Sequence, residues 1–312
     1  MKLAILCSGQ GAQHPDMFRL TRDAAPRLFE QASALLGMSV HTWLKRADAS
    51  MLRDNRSAQI LCALQPLAAQ VALNDALAGD CCVAGYSVGE VAAWGVAGLI
   101  EPVALLNLIA ARGELMSACN PMDGAMLFVR GLDQHTIERL CTGDDAAIAI
   151  VNPGNAYVIG GRRQKLLRIA LEAMAAGASR VSSLPVNVAS HTPLLADAAV
   201  AFRQLATKVV SRSDLQCMRV FSGIDGAPVT NIGAGVDKLA RQIAQPVRWD
   251  ACMAACLEEG ATAFLELGPG QALSDMAAAS YPQFPARSVE DFRSIDGVKR
   301  WLDTVARLKT WP

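Results

Sequence analysis

Short apolar runs alternate with long stretches of helical periodicity through the first third of the chain. Lys2 to Cys7 reads as a buried strand ending at a Gly-rich turn. Ala58 to Ala78 has the spacing of a helix, with Pro66 inside it. Cys81 to Ala84 is the next strand-like run. Strands separated by helical patterns predict a parallel sheet with covering helices. From Gly124 the rhythm changes. "GAMLFV" predicts a strand, "DQHTIERL" a short helix capped by Asp133, and "AAIAIV" a strand. "NPGN" is turn chemistry, and "AYVIGG" predicts another strand. "RQKLLRIALEAMAAG" predicts a helix closing at Gly177, and "SRVSSLPVNV" is extended. The order β-α-β-β-α-β is that of a ferredoxin-like unit. The pattern then returns to α/β, with "ATAFLELGPG" as a strand entering a Gly-Pro-Gly turn. The expected fold is α/β. A discontinuous parallel-sheet domain (1–120 and 191–312) carries an inserted ferredoxin-like small domain (121–190).

Composition narrows the field. At 312 residues and 52% apolar, the chain can bury a substantial core. Its 29 basic and 29 acidic residues balance, which argues against a nucleic-acid or membrane-surface partner. The nine cysteines show no paired zinc-ligand spacing, and Cys252-x-x-x-Cys256 stands alone on a helical pattern. No metal site is expected. Buried reduced thiols imply a cytoplasmic location. "MKLAILCSGQGAQ" turns polar too soon for a signal peptide. The apolar run after Cys81 stops at Glu101-Pro102, short of the roughly 20 residues a membrane span needs.

One stretch carries chemistry. In "CCVAGYSVGEVAAWGV", Ser87 stands between Gly85 and Gly89, after a strand and before a helix. That is the nucleophile-elbow arrangement, whose tight turn leaves no room for a Cβ at either glycine. Taken alone, the five residues leave two readings equally open: a nucleophile, or a serine that merely caps the helix. A nucleophilic serine needs a base. The chain offers His14, His41, His135 and His191. His135 falls on the short helix of the small domain and reads as solvated. His41, beside Trp43, reads as structural. His14 follows the first Gly-rich turn, where a surface role is as good a reading. His191 closes "LPVNVASH", where the small domain returns to the large one, and domain junctions are where pockets form.

The motifs "SGQGAQ" (8–13), "GYSVGE" (85–90), "RGELM" (112–116), "GAM" (124–126), "IVNPGNAYVIGG" (150–161), "PVNVASH" (185–191), "QPVRW" (245–249) and "LELGPG" (265–270) occur in this order. Together they resemble the malonyl-CoA:acyl-carrier-protein transacylases and related acyltransferase domains, over nearly the whole chain. The resemblance implies a hydrolase-like α/β domain with a ferredoxin-like insertion. It implies that Ser87 is the acyl-accepting nucleophile and His191 its base. The imidazole is then oriented by a backbone carbonyl, that of Gln242, instead of an aspartate. The oxyanion hole is implied at the backbone N–H groups of Gln10 and Val88. Arg112 is implied to grip the free carboxylate of malonate, and Asn152 to line the pocket. Without the resemblance, Arg112 in "LLNLIAARGELM" reads as a snorkelling surface residue, and Asn152 as a residue organising its turn.

Two positions depart from the family pattern. Tyr86 stands where a histidine is usual, and Cys7-Ser8 where Phe-Pro precedes the first Gly-Gln-Gly. With "ARSVEDFRSIDGVKRWL" near the end, they resemble the malonate decarboxylase epsilon subunit. The implied activity is malonyl transfer from malonyl-CoA, through a seryl ester, to the thiol arm of an acyl-carrier protein. The carrier is expected to be the carrier subunit of malonate decarboxylase, with other subunits of that complex as partners. The alternatives are a malonyl transacylase of fatty-acid or polyketide synthesis, a serine (thio)esterase, and a non-catalytic scaffold. No cofactor is expected beyond malonyl-CoA as substrate. Arg162, Arg163, Lys165 and Arg168 form a local basic cluster, read either as a solvated helix face or as a patch that steers an acidic carrier.

Overall fold

The structure, a computed structural model, describes residues 1–77, 79–210 and 218–307. Along the described chain the strands are β1 (Lys2–Cys7), β2 (Cys81–Gly85), β3 (Gly124–Arg130), β4 (Ala146–Asn152) and β5 (Ala156–Arg162). They continue as β6 (Arg180–Ser183), β7 (Arg219–Val220), β8 (Val247–Arg248), β9 (Ala261–Glu266) and β10 (Ala286–Ser288). They form two sheets.

The first sheet has the order β10-β9-β1-β2-β7 and is parallel throughout. Leu3 to Cys7 and the whole of β2 are buried. The reason is the layering: helices cover both faces, so every strand position meets protein. Leu3, Ile5 and Cys7 share a core with Leu61, Leu64, Val88 and Val91. The alternate residues Ala4 and Leu6 share another with Trp249, Cys252, Met253 and Cys256. The helical pattern read at 58–78 is a helix at Asn55–Ala72 followed by a 3-10 turn at Asn74–Leu77. Asp54 caps that helix by accepting the Ser57 N–H.

The second sheet has the order β6-β3-β5-β4-β8. Its first four strands pair antiparallel and have the predicted β-α-β-β-α-β element order. Asp133 caps the helix Gln134–Leu140 by accepting the Thr136 N–H, as its sequence predicts. β8 comes from outside 121–190 and adds to β4 in parallel, so a segment of the returning chain completes this sheet. Strand alternation gives the sheet two different faces. Leu127 and Val129 of β3 pack with Ile137, Leu166, Ile169 and Ala173, from the helices Gln134–Leu140 and Arg163–Ala175. The intervening Met126 and Phe128 face the other way, into a cleft.

No described helix is long and apolar enough to cross a membrane. The eight described cysteines are free thiols, six of them buried. Cys217 lies outside the described residues.

Candidate active site

Ser87 joins β2 to the helix Val88–Val96, at φ 59° and ψ −118°. The reason for the two glycines is steric. A Cβ on Gly85 would lie 2.1 Å from the backbone of Gly89, and one on Gly89 would lie 2.1 Å from the Cys7 carbonyl oxygen. Ser87 occupies the cap position of its helix, yet its side chain makes no capping hydrogen bond. The hydroxyl faces His191 instead, with Nε2 at 2.8 Å from Oγ. That contact removes the capping reading.

His191 Nδ1 hydrogen-bonds the backbone carbonyl of Gln242. A carbonyl only accepts, so Nδ1 carries the hydrogen and Nε2 presents its lone pair to the serine hydroxyl. The tautomer follows from the bond pattern. Gln242 is the C-cap residue of the helix Ile232–Arg241, and carbonyls in the last turn of a helix have no partner within it. The helix end thus supplies the acceptor that an aspartate supplies in other triads. Burial drives the His191 pKa down to about 3, the positive charge of Arg112 adds to this, and the bond to Gln242 opposes it. The free imidazole is neutral at neutral pH and ready to accept a proton. The other three histidines are elsewhere. His14 pairs with Glu290 at 2.8 Å, and His41 and His135 are exposed.

Arg112 is fully buried on the helix Pro102–Cys119 and does not snorkel. Its Nη1 donates to Gln59 Oε1 at 2.6 Å and its Nη2 to Gln242 Oε1 at 3.1 Å. Its Nε–H has no partner. No carboxylate oxygen of the described residues lies within 4.0 Å of it. Gln242 Nε2 donates in turn to the Ser87 carbonyl at 3.1 Å and to the Glu90 carboxylate. On the far side, Gln59 Nε2 and Gln10 Nε2 both donate to Asn55 Oδ1, at 3.0 and 3.2 Å. A continuous chain of hydrogen bonds, half-buried at Gln10 and buried beyond it, therefore runs from the Gly-rich turn through Arg112 to the backbone of Ser87.

The cleft in front of Ser87 has a volume of about 640 Å³ and lies between the two sheets. Gln10, Ser87, Asn152 and His191 line it. Val88 is the first residue of its helix, where the backbone N–H has no intrahelical partner. Asn152 closes β4 and is buried; it hydrogen-bonds Tyr86, and its Oδ1 has no partner. That free acceptor on the cleft wall sets it apart from a turn-forming asparagine. Tyr86 packs edge-to-face on Trp249 at 5.5 Å, and burial pushes its phenol pKa up. Ser8 donates to Glu266 Oε1 at 2.6 Å, while Glu266 Oε2 accepts the N–H groups of Leu273 and Ser274 at 3.0 and 2.8 Å. Glu266, at the end of β9, thus ties the first Gly-rich turn to the start of the helix Ala272–Ser280.

Residues 5–303 match the acyl transferase domain family. The chain belongs to this family. Within it, the chain is similar to the malonyl CoA-acyl carrier protein transacylase of Mycobacterium tuberculosis (strain ATCC 25618 / H37Rv). The two are 32% identical over 309 residues, covering 94% of this chain and 98% of that protein. It is 30% identical to the protein of that name from Escherichia coli (strain K12), over 88% of this chain and 91% of that one. Among solved structures, that of the M. tuberculosis MCAT superposes with a TM-score of 0.86 at 32% identity, covering 98% of this chain and 100% of that one. A malonyl-transacylase in complex with a type II PKS acyl-carrier protein superposes at 0.89 with 26% identity, covering 96% and 99%. The chain is an acyltransferase of the malonyl CoA-acyl carrier protein transacylase family.

In this acyltransferase the structure brings Ser87, His191 and the Gln242 carbonyl into one hydrogen-bonded series; Gln10 and Asn152 line the cleft beside it, whereas Val88 and Arg112, both fully buried, lie behind its wall. The sequence reading missed the polar side chains behind them: Asn55, Gln59, Glu90 and Glu266. One signal was present. Glu90 is the lone charged residue of the apolar segment Val88–Val96. A charge without an exposed helix face must find a partner inside.

Proposed function

We propose that this acyltransferase moves a malonyl group from malonyl-CoA to the thiol of an acyl-carrier protein, through an ester on Ser87. His191 Nε2 takes the hydroxyl proton as Oγ attacks the thioester carbonyl. The oxyanion rests on the backbone N–H groups of Gln10 and Val88. Collapse of the tetrahedral intermediate breaks the C–S bond, and His191 returns its proton to the departing CoA sulfur. The carrier's thiol then repeats the sequence in reverse. It loses its proton to His191, attacks the seryl ester, and Ser87 recovers its hydrogen. The free carboxylate of the malonyl group pairs with Arg112. Residues 121–190 act as the small domain that walls the cleft. No metal or further cofactor enters this scheme, and the protein works in the cytoplasm.

The observation that carries the reading is the pairing of an oriented Ser87–His191 couple with a fully buried arginine held only by neutral amides. A hydrolase of uncharged esters has no need of such a cation, because an unpaired buried charge is costly. A scaffold has no need to hold a serine at positive φ.

The finer reading is transfer to the carrier subunit of malonate decarboxylase, within that complex. Tyr86, Cys7-Ser8 and residues 286–302 support it. Malonyl transfer in fatty-acid or polyketide synthesis is the alternative. One experiment tests both levels. The purified protein is incubated with malonyl-CoA and its intact mass is read, expecting one malonyl group that Ser87→Ala removes. The malonyl-enzyme is then offered two carriers, one bearing phosphopantetheine and one bearing phosphoribosyl-dephospho-CoA. Faster transfer to the second supports the decarboxylase assignment. Faster transfer to the first assigns the protein to synthesis, and absence of acylation ends the transacylase reading.

A further inference from the structure

We infer that Glu90 is a positioning residue, which acts through the side chain of Gln242 to keep Arg112 free of a direct carboxylate partner and so available to a carboxylated acyl group. The inference rests on the malonyl reading above and adds to it the device behind acyl selection.

A guanidinium only donates and an ionised carboxylate only accepts. A glutamine amide does both, and its two ends are nearly the same shape, so its neighbours decide which way it points. Gln242 lies between one group of each kind. Its Nε2 donates to Glu90 and to the Ser87 carbonyl, so its Oε1 must face Arg112 Nη2. Glu90 cannot turn away. It accepts the Gly223 N–H, and a Cβ at position 223 would lie only 2.6 Å from Glu90 Oε2.

The consequence lies in what Arg112 does not do. A direct bidentate pair with Glu90 would occupy the guanidinium fork. The intervening amide prevents this pair while leaving the negative charge close enough to stabilise the cation. Arg112 is held by two neutral amide oxygens, and its Nε–H is still unpartnered. The buried cation thus keeps its charge and a donor for an incoming carboxylate. The same residue, Gln242, orients His191 through its backbone carbonyl. Acyl selection and the proton relay therefore share one hub, and Glu90 fixes the side chain of that hub.

Glu90→Gln tests this directly. It removes the countercharge and offers Gln242 either an N–H or a carbonyl, so the amide no longer has one orientation. Acylation of Ser87 is measured with malonyl-CoA and with acetyl-CoA. The malonyl-over-acetyl preference should fall about tenfold or more, the worth of a hydrogen bond to a charged group, chiefly through a higher KM for malonyl-CoA. A preference that stays unchanged, or an equal loss with both substrates, overturns the inference. A second variant, Glu90→Gln/Gln242→Glu, restores the buried charge but places it directly on Arg112. It should fold, judged by thermal unfolding, and its malonyl-over-acetyl ratio should stay low even where both rates fall. If the exchange restores malonyl preference, Glu90 is only a buried countercharge and the inference fails. Wild-type acylation by malonyl-CoA in the same assay separates this outcome from failure of the transacylase reading itself.

Discussion

Ser87 and His191, 104 positions apart in sequence, meet at 2.8 Å with both backbones at positive φ, 59° and 61°. Non-glycine residues rarely adopt such angles, and each instance costs on the order of 1–3 kcal/mol unless its surroundings hold it. At Ser87 the holding comes from the elbow, because the strand must end and the helix begin within one residue. Two variants separate chemistry from strain. Ser87→Ala and Ser87→Gly should both abolish malonyl labelling. Ser87→Gly should be the more stable of the two by about 1 kcal/mol, because glycine accepts this backbone freely. Chemical denaturation reads the difference, and equal stabilities would show that Ser87 is unstrained.

Arg112 offers a second test. Arg112→Ala removes the cation and leaves Gln59 Oε1 and Gln242 Oε1 buried without donors. Malonyl acylation of Ser87 should fall about a hundredfold, the worth of about 3 kcal/mol in a desolvated ionic contact. Acetyl acylation should fall much less. An equal drop for both would make Arg112 a structural residue with no part in acyl selection.

The site was partly legible in the sequence, for reasons that differ by residue. Gly85-x-Ser87-x-Gly89 is local: a turn this tight writes its requirement into five consecutive residues. His191 was found because only four histidines exist and one closes a return from the insertion. The Gln242 carbonyl came only from resemblance, since a backbone atom leaves no trace in residue identity. The buried chain of Asn55, Gln59 and Glu90 stayed hidden because Asn55 and Gln59 stand on one helix and Glu90 on another, and the link between them runs through Arg112 and Gln242. Each looks like an ordinary polar residue until the helices cross. In the fold, the strand alternation of β3 was plain, but the addition of β8 to β4 was not. A two-residue strand carries no period, and its pairing spans about a hundred residues.

The pH dependence follows from two groups displaced in opposite directions. A histidine base with its ordinary pKa would titrate near neutrality, but burial holds His191 at about 3. Acetyl-CoA acylation, which does not call on Arg112, should therefore stay nearly flat from about pH 8 to pH 5. Burial pushes Glu90 up to about 7, against the Gly223 N–H, Gln242 and the charge of Arg112; Asp225 also raises it, and Cys252 is the thiol that feels its charge. A raised carboxyl pKa means that Glu90 is ionised above about 7 and takes a proton as the pH falls through that value. Protonation lets it donate as well as accept, so the orientation of Gln242 loosens. Malonyl preference over acetyl should then decline below about pH 7. A ratio that holds constant down to pH 5 would separate Glu90 from acyl selection.

The distribution of cations around the cleft bears on the route by which a carrier reaches it. The basic cluster at 162–168 was a candidate for steering the carrier to the cleft. Arg162 instead pairs with Asp123 and Asp145, at 3.0 and 3.1 Å. Arg163 and Arg168 sit on the helix Arg163–Ala175, which packs against Leu127 and Val129. The cleft lies on the opposite face of that sheet, where Met126 and Phe128 point. Two other cations do reach the cleft. Arg130 and Arg180 are register partners on β3 and β6, both line the cleft, and the Arg180 guanidinium stands 5.6 Å from the Phe128 ring centroid. A phosphate on the thiol arm passing this wall would meet a guanidinium that donates two hydrogen bonds. Arg130→Glu/Arg180→Glu should raise KM for the carrier about tenfold and weaken its salt dependence, as loss of electrostatic attraction requires. Arg163→Glu/Arg168→Glu should leave both unchanged, because those side chains point away from the route. If the helix variant raises KM and the cleft variant does not, the carrier body docks on the outer helix and the expectation from sequence stands.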